Sequence, residues 1–217
     1  MKGTWSMEHP KLDENYLNLG SFFDIYNEED FLLRNMKIQN ELIETQIIQH
    51  PIVEQTILDH VTFSDCEFEK ADISDVIFKN CDLSNCRFPE SSIFQVEFQN
   101  CKMIGTSFEG SYCHNVVFNG CLMDLSNLDK MNLKVMQLND CSLKDASFSE
   151  NKLNKVSFKN CDLNEMTIWN TKLKGIDFSN SQFETIEIDQ DSTKGLKVNT
   201  EQAAYLASYF LDIRVSY

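Results

Sequence analysis

Basic residues are scarce in this chain. Nineteen Lys and Arg stand against 34 Asp and Glu, a formal charge of −15 over 217 residues. Such a field repels a phosphate backbone and suits a cationic partner, so direct nucleic-acid binding is not expected. The charge is also uneven: residues 1–75 hold 16 acids and 5 bases, so they carry −11 of the total. No apolar run approaches the length of a transmembrane helix, and no membrane contact is expected. Met1-Lys2-Gly3-Thr4-Trp5 leads into polar residues rather than an apolar stretch, so no secretory signal is read there and a cytoplasmic location is expected. The Gly-rich phosphate loop, HExxH and GxSxG are all missing. The four histidines, His9, His50, His60 and His114, are not spaced with one another for metal or base chemistry. Eight cysteines occur, but no CxxC pair to chelate a metal. The expectation is a protein without catalysis, cofactor or metal.

A strict period fills the space these absences leave. Every fifth residue from Leu33 to Ile188 is apolar, and Cys113 is the only one that is not a large hydrophobe. Five fits neither the helical period of 3.6 nor the strand period of 2, so the chain is a repeat architecture. Two residues before the column member the chain prefers small or β-branched side chains, as at Ala71, Val76, Ser91, Val96, Thr106, Ser111 and Val116. Cys66, Cys81, Cys86, Cys101, Cys121, Cys141 and Cys161 also occupy this position. Residues two apart on an extended segment share a face, so both point inward. The cysteines are then small packing residues in a reducing compartment. His114 beside Cys113 is no dyad, since one faces out and the other in.

Two residues after the column member the chain favours Asn, Asp and Gly, at Asp65, Asp75, Asn80, Asn85, Asn100, Gly105, Gly110, Asn115, Gly120, Asp140, Asp145, Asn160, Asn170, Gly175 and Asn180. These types tolerate tight turns and positive φ. A bend every five residues closes a square after four. A second period of 20 agrees: Cys81, Cys101, Cys121, Cys141 and Cys161 recur at that interval, as do Phe78, Phe98, Phe118, Phe158 and Phe178. Like residues then stack at about 4.8 Å, the spacing between paired strands.

Ala71-Asp-Ile-Ser-Asp75, Cys81-Asp-Leu-Ser-Asn85 and Cys161-Asp-Leu-Asn-Glu165 resemble the pentapeptide-repeat family. The resemblance implies an all-β, right-handed quadrilateral β-helix. It is strong over 61–190 and weak over 33–60, where Met36, Glu41, Gln46 and Pro51 occupy the small site and irregular coils are expected. An open β-helix exposes strand edges at both ends, so caps are needed. Residues 1–32 read as the N-terminal cap, with Phe22, Phe23, Ile25, Tyr26 and Phe31 available to cover the first coil. Residues 191–217 read as a C-terminal unit: a short helix after Asn199 or Thr200, then an extended tail. Its apolar residues Tyr205, Leu206, Tyr209, Phe210, Leu211, Ile213, Val215 and Tyr217 form a plug on the last coil.

Four sides follow from the arithmetic. The first is centred on Phe63, Leu83, Met103, Met123, Leu143, Leu163 and Phe183. The second is centred on Phe68, Phe88, Phe108, Leu128, Phe148, Ile168 and Ile188. Together they display 15 acids and 5 bases. An anionic stripe is drawn from Glu67, Glu69, Asp82, Glu90, Glu109, Asp124, Asp129, Asp145, Glu150 and Asp162. The third side, centred on Ile73 through Leu173, gathers Lys134, Lys152, Lys155, Lys172 and Lys174 near its C-terminal end. Phe94 and Tyr112 lie on it one coil apart as a possible contact patch, and Ile104, Val117, Leu122, Leu125, Val135 and Trp169 are further outward apolar residues. Acids on such a rod keep it soluble; regularly spaced, they also imitate a duplex.

Within the family, Val96-Glu-Phe-Gln-Asn-Cys-Lys-Met-Ile-Gly-Thr-Ser-Phe108, Leu173-Lys-Gly-Ile-Asp-Phe178 and Glu201-Gln-Ala-Ala-Tyr-Leu-Ala207 are similar to the Gram-positive Qnr-like and MfpA-like branch. That likeness implies a DNA mimic that binds DNA gyrase or topoisomerase IV, inhibiting it or protecting it from quinolones. It also implies a homodimer through Tyr205, Leu206, Tyr209, Phe210, Leu211 and Ile213. No insertion breaks the phase, so the loops that assist drug protection in Gram-negative Qnr proteins are absent. The alternative is a non-catalytic scaffold with another protein partner.

Overall fold

The computed structural model describes residues 6–27 and 29–215. The chain winds as a parallel β-solenoid with a short C-terminal helix, Thr200–Leu211. Neighbouring coils pair in parallel at an offset of 20 residues, from Leu32 opposite Ile52 to Ile168 opposite Ile188. The eight-residue strands Ile52–Asp59, Asp72–Lys79, Ser92–Gln99, Tyr112–Asn119, Asn132–Asn139 and Lys152–Lys159 each turn the corner between the third and fourth sides. The first and second sides are held by shorter rungs, such as Thr62 opposite Asp82 and Arg87 opposite Ser107.

The five-residue column is the core. Its members from Leu33 to Ile188 are buried, except Leu153 and Phe183, which are half-buried. Phe78, Phe98, Phe118, Phe158 and Phe178 all lie inside. Phe98 stacks on Phe78 and on Phe118 with ring centroids 4.8 Å apart, the pitch of the coil. The second side repeats this with Phe88 on Phe108 at 5.1 Å. Each such ring contributes roughly 1.5–3 kcal/mol by leaving water.

The corners are backbone devices. Every fifth residue from Asn35 to Gly175 has positive φ, whether or not it is Asn, Asp or Gly. Lys70, Gln95, Leu125, Val135 and Lys155 adopt the left-handed region as readily as the glycines do. The buried column on both sides of each corner enforces the turn against local preference. The pattern stops at Asn180, which is not left-handed, and the last coil slips: Glu165 N–H donates to Thr185 O, whereas Asp145 N–H one coil earlier donates to Asn164 O.

The small site does more than fit. Its hydroxyls and thiols donate to the column carbonyl of the preceding coil, as Thr106 Oγ1 does to Leu83 O at 2.8 Å and Ser111 Oγ to Phe88 O at 2.7 Å. They also accept: Ala71 N–H donates to Ser91 Oγ, and Ser91 N–H to Ser111 Oγ, both at 3.0 Å. Buried corner amides that would otherwise be orphaned are thereby satisfied. All eight cysteines are buried and free. Contact with the neighbouring cysteine and burial keep Cys81, Cys121 and Cys161 as thiols.

Coils 33–60 differ from the irregular course expected of them. They carry the same left-handed corners at Asn35, Asn40, Thr45, His50, Gln55 and His60, and the same buried column. Their unusual small-site residues face the cap instead of another coil. Glu41 accepts from Ser21 Oγ and from Phe22 N–H, and Gln46 Oε1 accepts from Tyr26 Oη. The cap is the 3-10 segment Phe22–Asn27, which buries Phe22 and Ile25 and leaves Phe23 and Tyr26 exposed. Phe31 is half-buried, its ring packed edge-on against Tyr26. Residues 8–11, assigned to the cap from sequence, run along the edge between the third and fourth sides. Lys11 N–H donates to Asp75, Gln95 to His9 O, and His9 Nδ1 meets Glu97 Oε1 at 2.7 Å.

At the other end Asn199 caps the helix in a box with Gln202. Gln202 is buried and donates to Phe178 O and Ser181 O, bolting the helix to the last coil. Tyr217, counted with the terminal apolar block, lies outside the described residues, as do Met1–Trp5.

Two substitutions test this account. Phe118→Ala removes a ring stacked in the column and is expected to cost about 3–5 kcal/mol in chemical denaturation. Leu125 is 62% exposed and left-handed at φ 61°, so Leu125→Gly is expected to gain about 0.5–1 kcal/mol by releasing backbone strain without losing packing.

Candidate interaction surface

The square cross-section brings the ten stripe residues onto two adjacent sides, but not as ten free charges. Stacking at 20 residues sets acids beside bases. Lys102 Nζ lies 3.0 Å from Asp82, Arg87 Nε 3.6 Å from Glu67, Lys130 Nζ 2.7 Å from Glu109 and Lys144 Nζ 3.3 Å from Asp162. Lys70 bridges Glu69 and Glu90 at 3.3 and 3.9 Å. Six of the ten carboxylates thus have a cationic neighbour. The Lys130 ammonium, by hydrogen bond and charge, holds the Glu109 carboxyl below its ordinary range. Such exposed pairs are worth about 0–1 kcal/mol each, yet they cancel much of the outward field.

Two further stripe residues are structural. Asp129 accepts from Ser147 Oγ and from Ser149 N–H at 2.6 and 2.7 Å, and Asp124 accepts from Ser142 Oγ and Lys144 N–H. They staple one coil to the next. Asp145 and Glu150 remain exposed, with no cation within ion-pair distance among the described residues. Asp145 stands below Glu165 in the corner column. Hydrogen bonding to Asp145 and its charge push the Glu165 carboxyl above its ordinary range. Glu184 and Glu187 continue this edge, so the free negative charge collects at the C-terminal half of the first and second sides.

That edge meets the C-terminal helix. Asp145, Glu165, Thr167, Thr185, Ile186, Glu187, Tyr205 and Tyr209 line an open cleft of about 500 Å³. Tyr205 Oη donates to Ile186 O and accepts from Ile186 N–H, and its ring stacks on Tyr209 at 5.7 Å. The six residues expected at a dimer contact divide into two sets. Tyr205, Leu206 and Phe210 pack on the rod, whereas Tyr209, Leu211 and Ile213 are exposed.

The outward apolar residues divide too. Leu122, Leu125 and Trp169 are exposed, Phe94, Ile104 and Tyr112 are half-buried, and Val117 and Val135 are buried. The Phe94–Tyr112 patch includes His114, whose ring lies 5.2 Å from Phe94. Burial pushes the Cys113 thiol up to about 12, so it is no nucleophile at neutral pH. Among the described residues no group of three or more His, Cys, Asp or Glu is placed to hold a metal ion. No helix of the described residues is long and apolar enough to cross a membrane.

The family model "Pentapeptide repeat region" matches residues 51–128, 91–168 and 131–206, which together span most of the chain. The chain belongs to the pentapeptide-repeat family. No curated protein matches it. Among solved structures, trypsin-treated QnrB1, a plasmid-mediated fluoroquinolone resistance protein, is similar at 23% identity and TM-score 0.46, over 83% of this chain and 90% of that one. HetL, a pentapeptide-repeat protein involved in heterocyst differentiation regulation from the cyanobacterium Nostoc, is similar at 14% identity and TM-score 0.27, over 77% and 85%.

Sequence reasoning on this pentapeptide-repeat chain missed the ion pairs, although their signal was present. Asp82 with Lys102 and Glu67 with Arg87 are separated by the 20-residue coil. The raised Glu165 carboxyl gives a pH test. The folded state binds this proton more tightly than the unfolded one, so stability falls as pH rises from the ordinary carboxylate range through the raised value. Glu165→Gln is expected to raise Tm at neutral pH and to leave it unchanged below about pH 3, where wild-type Glu165 is protonated in both states. Thermal scans across this range check it.

Proposed function

We propose that this chain is a non-catalytic binding rod that offers the edge between its first and second sides to a bacterial type II topoisomerase, DNA gyrase or topoisomerase IV, in place of duplex DNA. The observation that carries the reading is the density of unpaired carboxylates at the C-terminal half of that edge. Asp145, Glu165, Glu184 and Glu187 fall within two coil steps. Two steps are about 10 Å, or one charge per about 2.5 Å, of the same order as the one per about 1.7 Å along duplex DNA. A groove lined with Lys and Arg accepts either. The resemblance to the Qnr-like and MfpA-like branch supplies the class of partner, and that partner places the protein in the cytoplasm. The exposed Tyr209, Leu211 and Ile213 beside this edge join two rods into a homodimer. Both inhibition of the enzyme and protection from quinolones follow from occupying the site where DNA lies.

A second reading has its own support. Six of the ten stripe carboxylates carry ion pairs, which weakens the polyanion over the N-terminal half and suits a scaffold with some other protein partner. A supercoiling assay with and without a fluoroquinolone separates the two. Wild-type protein is expected to inhibit, less so as salt rises. Asp145→Lys with Glu165→Lys and Glu187→Lys is expected to lose at least tenfold in potency while melting like wild type. No inhibition by the wild type, or undiminished inhibition by the triple variant, contradicts the proposal.

A further inference from the structure

The third side departs from the rest of this acidic rod. Between Asn132 and Gly175 it presents Lys134, Lys152, Lys155, Lys172 and Lys174 and no carboxylate. Most bases elsewhere are neutralised: Lys11, Arg34, Lys37, Lys70, Arg87, Lys102, Lys130, Lys144, Lys194 and Lys197 lie within ion-pair distance of an acid, while among the described residues Lys79 and Lys159 on the fourth side and Arg214 in the tail do not. None of the five third-side lysines does among the described residues, and all five are exposed. The register packs them closely. Lys152 stands opposite Asn132 and Lys134 opposite Asn154 on neighbouring strands, Lys155 sits at the corner, and Lys172 and Lys174 follow one coil on. Five ammonium groups therefore share a nearly flat face about 10 Å along the axis, at about 4.8 Å per coil. Its rim is quiet, because Asp177 and Asp191 are held by Lys197 and Lys194, leaving Glu150 as the free acid on the adjoining corner.

We propose that this lysine face is a second interaction surface that rests on the phosphate backbone of a nucleic-acid duplex. Three observations choose that occupant. All five bases are Lys and none is Arg. Arg supplies the planar fork that reads carboxylates and is favoured in protein interfaces, whereas Lys is depleted there and acts on phosphate as a point charge. Among the described residues no aromatic side chain stands between the lysines, although Tyr112 and His114 lie one rung before Asn132 and Lys134, so stacking surface for single-stranded bases is confined to the edge of the face. The face is one narrow side of a square whose adjoining second side carries Glu150, Glu187 and Asp189. A duplex lying along the axis brings phosphates to that strip and keeps them from the acidic side, which faces about a quarter turn away. The contact is sequence-independent and local, and the net charge of −15 keeps it weak. It is independent of the topoisomerase reading, which uses the opposite charge on other sides. It departs from the expectation of no nucleic-acid contact, which rested on net charge, and the titration below decides between them.

The test is fluorescence anisotropy of a labelled DNA duplex titrated with the full chain. Binding is expected at about 50 mM salt, weakening with a log–log slope between about −3 and −4.5 for up to five phosphates at roughly 0.9 each. Replacing the five lysines with Gln is expected to cost at least tenfold, while replacing them with Arg retains binding. Arg87→Gln with Lys102→Gln, which removes two paired bases, is expected to change little. The proposal is overturned if the duplex does not bind at low salt, if the Gln variant binds like wild type while both melt alike, or if the Arg87/Lys102 variant loses as much. It is equally overturned if phosphatidylserine vesicles bind the chain through these lysines and the duplex does not.

Discussion

Parallel pairing at a constant offset of 20 residues is the constraint from which the rest of this molecule follows. Once each residue lies beside the one 20 positions on, equal side chains stack on equal side chains. Phe98 then meets Phe78 and Phe118 at the coil pitch, and Ser91 meets Ser111. The same offset sets the surface chemistry, because a charge on one coil finds its neighbour on the next. Hydrophobic burial supplies the driving force, but it is the register that turns a column of apolar residues into one structure rather than a collapsed chain.

The square section then sorts charge by direction. Neighbouring sides face about a quarter turn apart, so opposite fields coexist on one narrow rod. Carboxylates freed of partners gather along the edge of the first and second sides, and lysines freed of partners gather on the third. Over the N-terminal half of the first and second sides, ion pairs near the coil offset quiet carboxylates such as Glu67, Asp82 and Glu109. Net charge alone therefore describes this surface poorly, since its sign depends on which side is met.

The core was legible in the sequence because burial repeats without a break: a five-residue column needs no knowledge of what touches what. Phe118 and Cys113 could be placed inside from spacing alone. Left-handed corners were legible where Asn, Asp or Gly marks them, and not at Leu125 or Val135, where tertiary packing overrides local preference. The coils before residue 60 look irregular because Glu41 and Gln46 sit where small residues are usual. Their reason lies in the cap, whose backbone and side chains they bind, and no repeat pattern encodes a contact with a non-repeating segment. The acidic stripe was legible as composition but not as electrostatics, because each side was read as a sum of charges rather than as pairs at one coil's distance.

The register is best measured by disulfide trapping on the first side, where Lys102 and Leu122 are exposed partners across one rung. Strand neighbours fall within the Cα separation of about 4.4–6.8 Å that a disulfide needs. Lys102→Cys with Leu122→Cys is expected to close an intramolecular bond under mild oxidation, found by peptide mapping, while the eight buried native cysteines stay reduced. Lys102→Cys with Asn127→Cys, one corner further on, is expected to remain open. Efficient closure of the second pair, or failure of the first in a folded protein, would contradict the 20-residue stack.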